Sequence, residues 1–283
     1  MEAFRYIVLH HHFAGLISLQ PVYNPATFNI RGLAAGTSLA ALVFIGFDGV
    51  SILAEEVENP KKNVLLASVL VVVFTGLFSG LQVYMAQRVW PDYTTLQNPE
   101  TAFMDVARLA SGPWLFGAYG VMLLISSIAC GLAGHVGASR LLYSMGRDDV
   151  LPKKIFGHLS PKKSSPIFNL WIIGVLAYIG TITITWEHSA EVVIFGALIA
   201  FMGVNLASLR HFYFSKGAVG QRNFFMDAFV PIFGIAFCII LLFSLQTWTK
   251  WAGLVWLAVG VLYAAYKTRG FTRRPKLIDF SES

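Results

Sequence analysis

The sequence predicts an all-α integral membrane protein, and three observations carry that prediction. Of 283 residues, 56% are hydrophobic and only 13% are charged, whereas soluble domains carry about 25% charged residues. Mean hydropathy is +0.64. Apolar runs near the roughly 20 residues that cross hydrocarbon as a helix recur along the chain. The same numbers exclude a disordered chain, a collagen-like chain and a coiled coil. Cys130 and Cys238 both lie inside apolar runs. They make neither a disulfide framework nor a zinc set.

Residues 1–32 come first. They hold two short apolar pieces, split by His10, His11 and His12 and followed by Pro21 and Pro25. That stretch is too short and too polar to span alone, and it lacks the layout of a signal peptide. The three histidines have no further ligands nearby and suit an interfacial position better than a metal site.

The first run, 33–54, contains Ile45-Gly46-Phe47-Asp48-Gly49-Val50-Ser51. Glycine in a helix costs about 1 kcal/mol against alanine, and a charge at mid-membrane costs about 3 kcal/mol. Both at one place predict an interrupted helix. Freed backbone groups are tolerated in the bilayer only where they line a cavity or are buried in protein, and such breaks build sites in secondary transporters. The competing reading is close packing through the glycines, with Asp48 near the cytoplasmic end and reaching water. The run closes on Ala54-Glu55-Glu56-Val57-Glu58-Asn59-Pro60-Lys61-Lys62-Asn63, where Asn59 before proline avoids the helical region.

Six further runs follow, at 64–87, 113–142, 167–186, 192–212, 228–247 and 251–267. The third run of the seven carries small residues at four-residue spacing, Ala129-Ala133-Gly137 and Cys130-Gly134-Ala138, which favours close helix contact. Gln82, His135, Asn169 and Asn205 are expected to hydrogen-bond to neighbouring helices. Glu187, His188 and Glu191 read as a short solvated loop. Trp90, Trp114, Trp186, Trp248 and Trp251 fall at span ends and read as interfacial anchors. The tail 269–283 opens with Arg269, Arg273 and Arg274, which suit anionic lipid heads.

Net charge is +6. In a membrane protein it is read by side, not as a sign of nucleic-acid binding. Assigned to alternate sides of the seven runs, the 21 Lys and Arg fall mostly on one side: the loops at 55–63, 143–166 and 213–227 and the C-terminal tail. The positive-inside rule makes that side cytoplasmic. The N-terminus is then outside and the C-terminus inside. An outside N-terminus without a signal peptide, preceded by what reads as the tail of a helix, suggests part of a longer transporter-like protein. A complete seven-helix protein with a short translocated N-terminus is the competing reading.

Three blocks carry a resemblance. Ile45-Gly46-Phe47-Asp48 with Ala54-Glu55-Glu56-Val57 and Asn59-Pro60-Lys61-Lys62-Asn63 resembles the sixth helix and following loop of amino acid–polyamine–organocation (APC) superfamily permeases. Ala138-Ser139-Arg140-Leu141-Leu142-Tyr143-Ser144-Met145-Gly146-Arg147-Asp148-Asp149-Val150-Leu151-Pro152, then Ser165-Pro166, resembles the end of the eighth helix and the approach to the ninth. Gly196-Ala197-Leu198-Ile199-Ala200-Phe201 with Val204-Asn205-Leu206 resembles the tenth.

The resemblance implies a LeuT-like inverted-repeat fold of twelve helices. Residues 33–212 would be the five helices of the second repeat, the first broken near 46–49. Residues 213–268 would be two additional helices, and 1–32 the tail of a preceding helix and an outer loop. The first repeat would be missing, and with it the helix that binds the substrate carboxylate. The implied function is secondary active transport of an amino acid or polyamine-like substrate by alternating access, proton-coupled or by exchange. The implied location is the plasma (inner) membrane. The chain alone would be inactive without the N-terminal repeat or a partner chain.

By position, Phe44, Ile45, Gly46 and Phe47 inherit the substrate-binding role, with carbonyls accepting from an ammonium. Gly131 and Gly134 would border the pocket. Asp48 is the candidate for proton sensing or gating, and Ser126 and Ser127 could offer hydroxyls to a coupling ion. The competing readings are lipid contact or packing for the phenylalanines, close helix packing for Gly131 and Gly134, and a structural hydrogen bond to neighbouring backbone for Asp48; the other ligands of a site at Ser126 and Ser127 would be in the missing half. A seven-helix receptor or light-driven pump also has this orientation, but the last span has lysine only at its ends, Lys250 and Lys267, and no receptor motifs occur. No His-Glu-x-x-His, Gly-x-Ser-x-Gly or phosphate-binding loop is found. Neither an enzyme nor a bound cofactor is expected.

Overall fold

The computed structural model describes residues 2–11, 18–25, 27–47, 57–96, 98, 100–160, 165–214 and 223–270. Among them all regular structure is helical. In chain order the helices are α1 (Glu2–His11), α2 (Ile30–Ala40), α3 (Pro60–Val89), α4 (Ala102–Arg147), α5 (Lys153–Phe156), α6 (Ile167–Thr183), α7 (Trp186–Ser208), α8 (Val230–Ser244) and α9 (Thr247–Lys267). Helix α4 is kinked, not continuous: Ser111 (φ −148°, ψ 17°) and Gly112 (φ 77°, ψ −165°), just ahead of Pro113, are not helical. Short 3-10 turns lie at Ala41–Phe44 and Tyr93–Thr95, and wider π turns at Leu209–Phe214 and Phe225–Phe229. Among the described residues five helical segments are long and apolar enough to cross a membrane: Lys62–Val89, Ala102–Arg147, Trp186–Phe214, Phe225–Ser244 and Thr247–Lys267. Ile30–Phe44 and Ile167–Thr183 are shorter apolar helices.

The surface chemistry follows from the solvent. Leu65, Leu70, Phe74, Leu77, Phe78 and Leu81 of α3 are all exposed. In water that face would be driven inward, whereas lipid tails are as apolar as leucine. From the π turn Phe225–Phe229 into α8, Phe225, Phe229, Phe233 and Phe237 repeat every fourth residue. Their rings stack in sequence with centroids 5.2, 6.2 and 6.4 Å apart.

The chain divides into two compact units, Met1–Met122 with Val193–Gln246, and Leu123–Val192 with Thr247–Ser283. The core of the first is built from Ile194, Phe195 and Leu198 on α7 and Cys238, Leu241 and Leu245 at α8. These positions recur at helical spacing, so each helix turns one stripe inward. Leu42 and Ile45, just past α2, pack against that core. A second cluster joins α1 to α3 and the start of α4 through Ile7, Val89 and Val106. There the Tyr84 hydroxyl accepts from the Ser18 N–H at 2.9 Å and donates to the Ser18 carbonyl at 3.1 Å.

In the second unit the end of α4 turns back sharply. Val150 N–H and Leu151 N–H both donate to the Met145 carbonyl, at 2.9 and 3.0 Å, and Asp149 takes a φ of 57°. Gly146 is needed there: a Cβ on it would lie 2.5 Å from the Gly157 nitrogen. Asn169 Nδ2 donates to the Phe156 carbonyl at 2.9 Å, and His135 Nε2 meets the Leu170 carbonyl at 2.9 Å, linking α4 to α6. The last helix reaches the same turn. Tyr263 donates to the Val150 carbonyl at 2.8 Å, and Lys267 pairs with Asp149 at 3.1 Å.

Two expectations about loops are corrected. Glu187, His188 and Glu191 are not a solvated loop but part of the first two turns of α7, and Glu191 is only 5% exposed. Likewise α9 starts at Thr247, four residues ahead of the apolar run. In both places polar first turns lower the local hydropathy and hide a helix that has already begun.

Candidate functional site

The candidate site lies where α2 stops. Asn29 caps the helix, its side chain accepting from the Arg31 N–H at 3.0 Å. Eleven α-helical residues then tighten into the 3-10 turn Ala41–Phe44. Fifteen helical residues rise only about 22 Å, short of the roughly 30 Å hydrocarbon layer. The Leu42 carbonyl accepts from Ile45 N–H at 3.1 Å, and the Phe44 carbonyl accepts from Phe47 N–H at 3.4 Å. Ile45 is extended, with φ −67° and ψ 128°. Gly46 has a φ of +109°, a conformation that only glycine adopts without strain.

This turn is held on two sides within its unit. The Phe44 ring lies 3.3 Å from where a Cβ on Gly76 would sit, so α3 receives that ring at a glycine. The Phe47 ring meets Phe201 of α7 with centroids 5.7 Å apart and planes tilted 41°. Ile45 packs into the α7–α8 core. Phe44, Ile45 and Phe47 are thus each half-buried against a neighbouring helix, while Gly46 between them is exposed. Nearby, Asn205 donates to the Phe201 carbonyl at 2.9 Å. The Asn205 amide also faces Gly234, where a Cβ would meet its Oδ1 at 2.9 Å.

Asp48 lies outside the described residues. Ser126, Ser127, Gly131 and Gly134 are on α4 in the second unit, all exposed. A Cβ on Gly131 or Gly134 would meet no atom within 4 Å. Sequence reasoning did not single out Gly76 as the seat for Phe44. The signal was Gly76 and Gly80 at four-residue spacing in an otherwise bulky run. Nor did it notice that Asp105 and Arg108 share one cavity with Trp90. Among the described residues no group of three or more His, Cys, Asp or Glu could hold a metal ion.

A family model described as amino acid permease matches residues 6–263. The chain is 28% identical over 257 residues to the low-affinity putrescine importer PlaP of Escherichia coli (strain K12), covering 90% of this chain and 56% of that protein. It is 26% identical over 262 residues to the branched-chain amino acid permease BcaP of Bacillus subtilis (strain 168), covering 87% and 54%. It is 30% identical over 185 residues to the vacuolar cationic amino acid transporter 4 of Arabidopsis thaliana, covering 64% and 30%. The chain spans about half the length of the first two of these relatives.

Proposed function

The chain belongs to the amino acid permease family, whose members are transporters and not enzymes, and from that premise we propose that it carries the second-repeat half of a secondary active transporter for amino acids or related amines. The observation that supports this most is the helix end at Phe44 with its turn at Gly46. It is braced by Phe44 on Gly76 and by Phe47 on Phe201. In this reading the turn is the substrate seat. Its carbonyls receive an ammonium, and an aromatic face of Phe44 or Phe47 adds a cation–π contribution of about 0.5–2 kcal/mol.

The names of the relatives cover a diamine, branched-chain amino acids and cationic amino acids. An ammonium group is common to all three. Carbonyl acceptors would serve each without a fixed charge of their own. Ser126, Ser127 and Asp48 serve coupling or gating, to protons or to exchange. Residues 33–212 form the repeat, 213–268 two additional spans and 269–283 a cytoplasmic tail. The N-terminus is outside an inner (plasma) membrane and the C-terminus inside.

Transport requires a complementary half, in the same polypeptide or in a partner chain. Uptake of labelled leucine and putrescine into liposomes tests this, comparing the chain alone with the chain joined to the missing half of a relative. Uptake by the joined halves only is expected. No uptake by the joined halves overturns the transport reading. Uptake by the chain alone overturns the need for a second half.

A further inference from the structure

The loop 90–96 and the first turns of α4 line an open cavity in the first unit. The Trp90 N–H closes α3 onto the Ala86 carbonyl at 2.9 Å. Its indole Nε1–H donates to the Thr95 hydroxyl at 2.7 Å, and that hydroxyl donates to the Asp92 carbonyl at 2.7 Å. The Asp92 side chain accepts from the Thr94 N–H at 3.1 Å and from its hydroxyl at 2.6 Å. The loop therefore fixes the indole through a closed set of bonds. One turn into α4, Asp105 and Arg108 stand three residues apart on one face.

Trp90, Thr95, Leu96, Asp105, Arg108 and Leu109 line a cavity of about 520 Å³, within the usual size of small-molecule sites. Asp105 and Arg108 line one cavity and do not bond each other. The Arg108 guanidinium is seated 5.8 Å over the Phe116 ring, and Asp105 Oδ2 has the Thr101 hydroxyl at 3.4 Å.

We propose that this cavity binds the zwitterionic head of an α-amino acid. Asp105 takes the ammonium and Arg108 takes the carboxylate, whose two oxygens match the planar guanidinium fork. Trp90 and Leu96 contact an apolar side chain, and Leu109 stands on the cavity wall beside them. A diamine fails here because Arg108 repels its second charge. Binding itself stands on this geometry. The role as a staging site on the outer side, ahead of the turn at Gly46, rests on the transport reading. The cavity opens to solvent, so binding is weak and exchange fast.

The test is local protection from labelling. The full chain carrying C130S and L109C is placed in lipid nanodiscs and labelled with a maleimide, since Cys130 is exposed and Cys238 is buried. Leucine is expected to slow labelling severalfold, while isocaproate, isoamylamine and cadaverine do not. Adding R108Q or D105N is expected to abolish the protection. Equal protection in either variant, or by isoamylamine, overturns the proposal, as does no protection by leucine. The two readings separate cleanly. Leucine uptake by joined halves with protection absent overturns the cavity site alone. Protection without uptake supports the cavity and counts against transport.

Discussion

The Thr249 hydroxyl donates to the Glu191 carboxylate, joining the first turn of α9 to the second turn of α7. Thr249 is 0% exposed and Glu191 5% exposed. One position before Thr249, the Trp248 ring meets His188 edge-on at 4.9 Å, and His188 Nδ1 bonds the Thr185 hydroxyl at 2.6 Å. Thr249→Val keeps the shape and leaves the Glu191 carboxyl without this donor. It should lower stability by about 1–3 kcal/mol. Thr249→Ser should restore most of that. Thermal unfolding of the two variants in detergent checks it: equal melting temperatures would show that the bond contributes nothing.

Two glycines make contacts of different kinds. A Cβ at Gly146 would meet backbone atoms of Phe156 and Gly157 at 2.5 Å, whereas one at Gly234 would meet the Asn205 side chain at 2.9 Å. Backbone cannot step aside, and a side chain can rotate. Gly146→Ala should therefore cost about 1–3 kcal/mol or more, and Gly234→Ala distinctly less. Combined with Asn205→Ala, the Gly234→Ala penalty should largely vanish. That coupling is measurable as a double-mutant cycle.

The helices were legible because lipid-facing stretches cannot hide their composition. All seven apolar runs contain a helix, and three of the four polar residues expected to bond across helices can be checked in particulars. His135 and Asn169 each bond a carbonyl beyond their own helix, at Leu170 and Phe156. Asn205 instead bonds Phe201 one turn back and packs against Gly234. Helix starts were less legible. Glu187, His188 and Glu191 are polar residues in a helix, and hydropathy has no way to separate that from a loop. Partners distant in sequence were not legible either. Nothing in the order of residues pairs Glu191 with Thr249, or Phe44 with Gly76.

Orientation predicts a labelling pattern. Lys267 and Asp149 meet at 3.1 Å, and both lie on the side to which basic residues assign the cytoplasm. Removing an exposed ion pair costs about 0–1 kcal/mol, so D149C and K267C should fold. In a C130S background, an impermeant maleimide should reach D149C, K267C and E58C only after cells are permeabilised. It should reach Y93C in intact cells. The reverse pattern would invert the topology.

The turn at Gly46 carries the sharpest prediction for transport. Its φ of +109° costs a residue with a Cβ about 1–3 kcal/mol. Gly46→Ala leaves open space around the new methyl, since no atom lies within 4 Å, so any loss comes from backbone strain and not from a clash. Uptake by the joined halves should fall sharply. Gly36→Ala is the control. It sits inside α2 with no atom within 4 Å, and alanine there should gain up to about 1 kcal/mol in helix propensity with uptake unchanged. If both variants transport alike, the bent turn is not the substrate seat. Asp48 follows two residues on, and Asp48→Asn separates seat from coupling. An altered dependence of uptake on pH with leucine affinity retained assigns it to coupling. An unchanged pH profile removes it from that role.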